Sequence, residues 1–209
     1  MNYYYYIAGM PDLTPSNAKA APGCISIIEE LREQLTPRDF KLLELIAEPL
    51  TDPEKAEEYY NVRLRSHNRF VRQWAEFNLN INNILTAIIC RQNNWDIRAN
   101  IVGNNAVTQA ICENPTAKDF GLRGELEYFD TLMQIVETDN LMDREQKIDA
   151  LKWTWLEDNT FFDFFTVEKI LVYYLKAEML NRWNILTVEK GERIFREIID
   201  NLKRDVTFE

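Results

Sequence analysis

The chain carries few residues that could make or break bonds. His67 is its one histidine, so a centre that needs two imidazole ligands is excluded. Cys24, Cys90 and Cys112 stand far apart with no Cys-x-x-Cys pair, and an odd count cannot close into bridges alone. They read as reduced, buried thiols. A Cys–His nucleophile would require one of them to meet His67, and no local signature marks such a pair. Neither the Gly-x-x-x-x-Gly-Lys-Ser/Thr nor the Gly-x-Gly-x-x-Gly phosphate cradle occurs. Acids do gather, at Asp139, Asp143, Glu145 and Asp149, and again at Glu157, Asp158 and Asp163. Such groups belong to helix starts and solvated faces more readily than to a carboxylate metal site. The expectation is a protein with no catalytic residue, no metal and no cofactor.

A different chemistry is suggested by Trp153, Trp155, Phe161, Phe162, Phe164, Phe165, Tyr173 and Tyr174, an aromatic block denser than a core of this size requires. Most of it reads as packing between helices. Part of it adjoins a loop at Glu157-Asp158-Asn159-Thr160, and an exposed aromatic patch there would be a protein-binding surface.

The elements that must position these residues follow from composition. Among 209 residues, 46% are hydrophobic and 28% charged, a globular balance with enough apolar material for a substantial core. Only 6 Gly and 7 Pro are present, too few for the turns of a many-stranded sandwich or barrel. The fold class expected is therefore all-α, a bundle of long and short helices. The 34 Asp and Glu outnumber the 24 Lys and Arg for a net charge of −10, the wrong sign for a nucleic-acid backbone as main partner. A local basic patch at Arg63, Arg65, Arg69 and Arg72 is the exception. The opening Met1 to Pro11 lacks a cationic segment and is not read as a signal peptide. No stretch reaches the roughly 18 apolar residues of a membrane helix.

Along the chain, Tyr3 to Ile7 is β-prone and reads as one short strand or as an extended tail. Ile25, Ile27, Ile28, Leu31 and Leu35 have helical spacing. Thr36-Pro37-Arg38-Asp39 starts the next helix, with a hydroxyl at the N-cap, Pro in the first turn and an acid behind it. Thr51-Asp52-Pro53-Glu54 repeats the signal and opens a short charged helix to about Tyr60. Phe70, Trp74, Phe77, Ile81, Ile84, Leu85 and Ile88 then recur at steps of three and four, the clearest amphipathic run, which Asn93-Asn94 ends. Trp95 to Gly103 reads as a short helix closed by Gly. Pro115, Gly121 and Gly124 mark loops, and further helices follow over Leu126–Val136, Leu141–Glu157, Phe161–Trp183 and from about Thr187.

An internal echo links two of these regions. Trp95-Asp96-Ile97 with Gly103, and Trp183-Asn184-Ile185 with Gly191, each follow a long helix and lie 88 residues apart. The expected organisation is one helical domain over 1–209, with pseudo-repeats at about 65–112 and 155–205.

Three stretches together resemble a known family. They are Tyr3-Tyr4-Tyr5-Tyr6-Ile7-Ala8-Gly9-Met10-Pro11-Asp12-Leu13, the run from Arg69 through Trp74 to Leu85 with the Trp95-Asp96-Ile97 unit after it, and Tyr174-Leu175-Lys176-Ala177-Glu178 followed by Trp183-Asn184-Ile185 and Gly191. They resemble a divergent bacterial branch of the C-type subunit family of V/A-type ATPases, whose eukaryotic members are designated d. The resemblance implies a helical, non-catalytic adaptor of an ion-translocating ATPase. Its partners would be central-stalk proteins on one side and the membrane rotor ring on the other, with no nucleic acid and no small-molecule substrate. It would be cytoplasmic, peripheral at the inner face of the cell membrane. By the same analogy the short helices after the long ones face the stalk, which makes Trp95, Asp96, Arg98, Trp183 and Asn184 the candidate partner interface. The familiar members carry three such units and this chain shows two. The alternative is an acidic helical scaffold or regulator unrelated to the ATPase.

Overall fold

A computed structural model describes residues 3–185. Among these residues the fold is all-α with no strand. The α-helices are α1 (Tyr4–Gly9), α2 (Cys24–Gln34), α3 (Pro37–Ala47), α4 (Ala56–Leu64), α5 (Arg69–Asn93), α6 (Ile97–Asn100), α7 (Ala106–Glu113), α8 (Phe129–Val136), α9 (Leu141–Asn159) and α10 (Val167–Ile185). Two 3-10 segments, Pro15–Ala20 and Pro53–Lys55, join them. None of the helices is long and apolar enough to cross a membrane. The helix expected from about Thr187, together with Gly191, lies outside the described residues.

The chain divides into two compact units, Met1–Phe40 with Phe165–Glu209, and Lys41–Phe164. The expected repeat at 65–112 falls inside the second unit. The one at 155–205 starts there and continues into the first, and its part beyond residue 185 lies outside the described residues.

In the first unit the β-prone opening is helical, not a strand. A strand needs a neighbour to complete its ladder, and the backbone N–H of Tyr3 instead bonds the carbonyl of Phe165 at 2.9 Å. Tyr3 is buried, and its hydroxyl donates to the Asp39 carboxylate while accepting from the backbone N–H of Thr36. That tie fixes Tyr3 at the start of α1 with a backbone that is not extended (φ −99°, ψ 35°), and the helix turns from Tyr4. Thr36 caps α3 as its sequence prescribes, its Oγ1 accepting from the N–H of Asp39 at 3.2 Å. Helix α10 packs on α2 and on the 3-10 segment Pro15–Ala20. Its residues Ile170 to Leu175 are buried without a break, which accounts for an apolar run with little amphipathic contrast.

The second unit is organised on α5. Asn68 caps its start by accepting from Val71 N–H at 3.1 Å, and Asn94 ends it in the left-handed conformation at φ 57°. At about 1.5 Å per residue its 25 residues extend about 37 Å. Its apolar spine, Phe77, Ile81, Ile84, Ala87 and Ile88, packs with Val107, Ile111, Phe120, Leu122, Phe129 and Leu132. An aromatic cluster closes the core: Trp155 of α9 stacks on Phe77 at 4.8 Å and 14°, and Trp74 and Tyr128 adjoin.

Several boundaries differ from the sequence reading. Helix α6 is a single turn that ends before Gly103, which lies beyond it at φ +80°. The glycine serves a left-handed bend rather than a helix cap. Helix α7, absent from the reading, is started by a capping box in which Asn105 and Thr108 exchange side-chain and backbone bonds at 3.0 and 2.7 Å. Helix α10 starts at Val167 rather than Phe161, which leaves four aromatic residues, Phe161, Phe162, Phe164 and Phe165, outside any helix.

Candidate functional site

The residues flagged by sequence lie in different units. Trp95, Asp96 and Arg98 belong to the second, at the α5–α6 junction. Trp95 is exposed, its N–H held by the carbonyl of Cys90 at 2.8 Å. Asp96 caps α6 through the N–H of Arg98 at 2.9 Å, and the Arg98 guanidinium bonds the carbonyl of Cys112 at 3.3 Å. The junction is clasped from below by Asn83, 3% exposed, whose amide donates to the carbonyl of Val102 at 2.8 Å and accepts from its N–H at 2.9 Å. Beside it the Asn105 amide donates to Asn80 Oδ1 at 2.7 Å. Trp183 and Asn184 belong to the first unit. Trp183 is half-buried with the Arg182 guanidinium over its ring at 5.8 Å. The Asn184 amide is committed to the carbonyl of Ala18 at 2.7 Å, and Asn181 likewise to Pro22 at 2.8 Å. Asn184 therefore fastens the 3-10 segment to α10.

The groups that could do covalent chemistry are dispersed. His67 is exposed in the turn before α5. Asp139, Asp143 and Glu145 are exposed, whereas Asp149 is buried on α9. Among the described residues no three His, Cys, Asp or Glu side chains gather closely enough to hold a metal ion. Burial pushes the Tyr128 phenol up to about 12, with the Asn80 amide opposing and Glu76 adding to the rise. Burial, then Glu30 and Tyr173, do the same to Tyr6, also to about 12. Burial and then Glu178 raise the Cys24 thiol. Shifts of this sign keep phenol and thiol protonated, the reverse of nucleophile activation. A groove of about 500 Å³ beside α4 is lined by Glu54, Glu57, Glu58, Asn61, Val62 and Arg65.

The feature that stands out is the segment after α9. Thr160 is 1% exposed, its hydroxyl donating to the carbonyl of Leu156 at 2.7 Å, and Leu156 is itself fully buried. The N–H of Asp163 returns to the carbonyl of Thr160 at 3.1 Å. This closes a four-residue turn whose two central positions are Phe161 and Phe162. Turn centres favour Gly, Asn, Asp, Ser and Pro, each for a backbone reason that Phe lacks. Phe161 is 65% exposed, Phe162 82% and Phe164 59%. The first two rings meet edge to face at 5.0 Å and 89°, so they present one apolar cluster. Its base is firm, because Trp155, one turn earlier on α9, is locked in the aromatic cluster, and Asn159 bonds back to its carbonyl at 2.9 Å.

The aromatic block thus divides. Trp155, Tyr173 and Tyr174 face inward as expected of packing, while Phe161, Phe162 and Phe164 face water. The sequence placed the exposed part at the loop Glu157–Thr160. The structure extends α9 to Asn159, with Thr160 as its C-cap, and puts the surface just beyond.

A family model described as "Protein of unknown function (DUF2764)" matches residues 48–206. No curated protein and no solved structure matches the chain. The match corrects the resemblance to the C-type adaptor of V/A-type ATPases, since no family of that kind is found. The stretches that carried the likeness have local explanations. Arg69 to Leu85 is the amphipathic spine of α5, and Tyr174 to Glu178 lies in α10 with Tyr174, Leu175 and Ala177 buried and Glu178 exposed, patterns that helix burial imposes in any bundle. Tyr4 to Tyr6 open α1, with Tyr3 at its N-cap position, and Gly103 does not end the short helix.

Proposed function

The chain belongs to the DUF2764 family, and from that premise we propose that it is a non-catalytic protein-interaction module that docks through Phe161, Phe162 and Phe164. The observation that supports this reading is the turn itself, two phenylalanines at its tip and a third beside it, solvent-exposed on a base fixed by Thr160 and Trp155. Exposed apolar clusters on a rigid support are a recurrent mark of protein interfaces, where a few aromatic anchors carry most of the affinity. Preorganisation helps, because little ordering entropy remains to be lost on docking.

This is the scaffold alternative set beside the ATPase adaptor above. The adaptor reading would specify stalk and ring proteins as the partners and would bring the chain to the inner face of the cell membrane only through that complex. One experiment addresses both. Full-length chain and the triple variant F161S/F162S/F164S, each shown to be folded by circular dichroism, are used as bait in lysate of the native cells. A defined set of proteins recovered by the first and lost by the second is expected. Stalk or ring proteins in that set would favour the adaptor role. Equal recovery by both baits would refute docking through the phenylalanines.

A further inference from the structure

We propose that the occupant of the Phe161–Phe164 surface is a protein groove with an apolar floor and a rim of lysine or arginine. This rests on the docking role just described and adds the chemistry of the partner. From Glu157 to Phe164 the chain runs Glu-Asp-Asn-Thr-Phe-Phe-Asp-Phe with no basic residue, and Glu157 is engaged within α9, accepting from the Trp153 indole N–H at 2.8 Å. Asp158 is exposed at the end of α9, beside the turn. Rings that enter a groove here bring negative charge to its edge, so a cationic rim attracts and an acidic rim repels.

The same facts disfavour two other occupants. A second copy of this chain carries the same net charge of −10 and offers the wrong field. An anionic bilayer repels carboxylates placed at its surface. Interfacial anchoring also favours Trp and Tyr, whose polar ends stay in the headgroups, whereas all three anchors here are Phe, which gains most from a dry pocket.

The test uses full-length chain with the photo-crosslinking residue p-benzoylphenylalanine at position 162 in its native cells, followed by purification of the protein it captures. Binding of that purified partner is then titrated by calorimetry. We expect F162S to weaken it at least about tenfold. Asp158→Lys should weaken it about threefold to tenfold, and an increase from about 0.05 M to about 0.5 M salt should weaken it comparably. Binding that needs Phe162 yet ignores salt and Asp158→Lys overturns the cationic rim and leaves the docking role standing. Binding indifferent to F162S overturns both. Cross-links confined to the chain itself or to a second copy overturn the proposal. So does Phe162-dependent sedimentation with vesicles of phosphatidylcholine, or of an equimolar mixture with phosphatidylserine.

Discussion

Substituting Asn83 with Asp tests whether one buried amide holds the α5–α6 junction. Asn83 uses both halves of its side chain on Val102, at 2.8 Å as donor and 2.9 Å as acceptor. A carboxylate keeps the acceptor but turns a lone pair toward the Val102 carbonyl at the position of the lost donor, and it does so at 3% exposure. An unserved carbonyl costs about 1–3 kcal/mol, and the desolvated charge adds to it, so about 3 kcal/mol is expected at neutral pH. For a chain of this size that lowers Tm by about 6–12 °C. The protonated acid can donate again, which reduces the deficit to about 1 kcal/mol. The folded-state pKa of Asp at 83 must then lie about 1.5 units above its unfolded value of about 3.9. The native state binds more protons between those two values, so the variant is relatively most stable below the unfolded pKa and loses that stability as pH rises through the folded one. Thermal unfolding followed by circular dichroism, read as the difference from wild type at about pH 4 and about pH 8, should show the gap widening with pH. Asn83→Ala should be destabilised without that pH dependence. A gap for N83D that is the same at both pH values, or an alanine variant as stable as wild type, would refute the clasp.

Other tests bear on separate parts of the fold. Arg63, 5% exposed, donates to the carbonyls of Tyr59, Leu45 and Glu48 and lies 3.3 Å from the Tyr59 ring centroid. Arg63→Met should cost about 2–3 kcal/mol in denaturant unfolding, with little rescue by Lys, whose ammonium cannot span the three carbonyls. Asn105→Ala removes the α7 capping box and the bond to Asn80, and about 1–2 kcal/mol should be lost in the same assay. Burial raises Tyr6 and Tyr128 to about 12. Their contribution is complete below the ordinary phenol pKa of about 10 and is lost as pH rises toward about 12. Stability should therefore fall steeply over that range, and Tyr128→Phe should flatten the fall. Phe162→Ser alone should leave Tm within about 1 °C of wild type, because an 82% exposed ring packs on little.

Much of this fold can be read from the sequence because helix boundaries are local events. Thr36 before Pro37 and Asn93-Asn94 after a three-and-four spaced apolar run act within a few residues, and the structure places α3 and α5 where those signals stand. Asn68 caps α5 in the same local manner, and Asn105 three residues before Thr108 does so for α7, a signal the apolar pattern concealed. The limit is reached where the deciding partner is distant. The intrinsic preference of Tyr3 to Ile7 was for extension, and bonds to Thr36, Asp39 and Phe165 reversed it. Asn83 and Val102 are 19 residues apart, so nothing in the neighbourhood of either identifies the clasp. The candidate surface shows the same division. Sequence alone identified an excess of aromatic side chains near the end of α9, since composition is additive and needs no coordinates. Which rings pack inward and which face water was decided only in three dimensions. Trp155 lies where α5 supplies Phe77 to stack on, whereas Phe161 and Phe162 fall one turn past the last partner, on a tight turn that aims them outward. Burial is a property of what surrounds a residue, and only the tertiary arrangement supplies that surrounding.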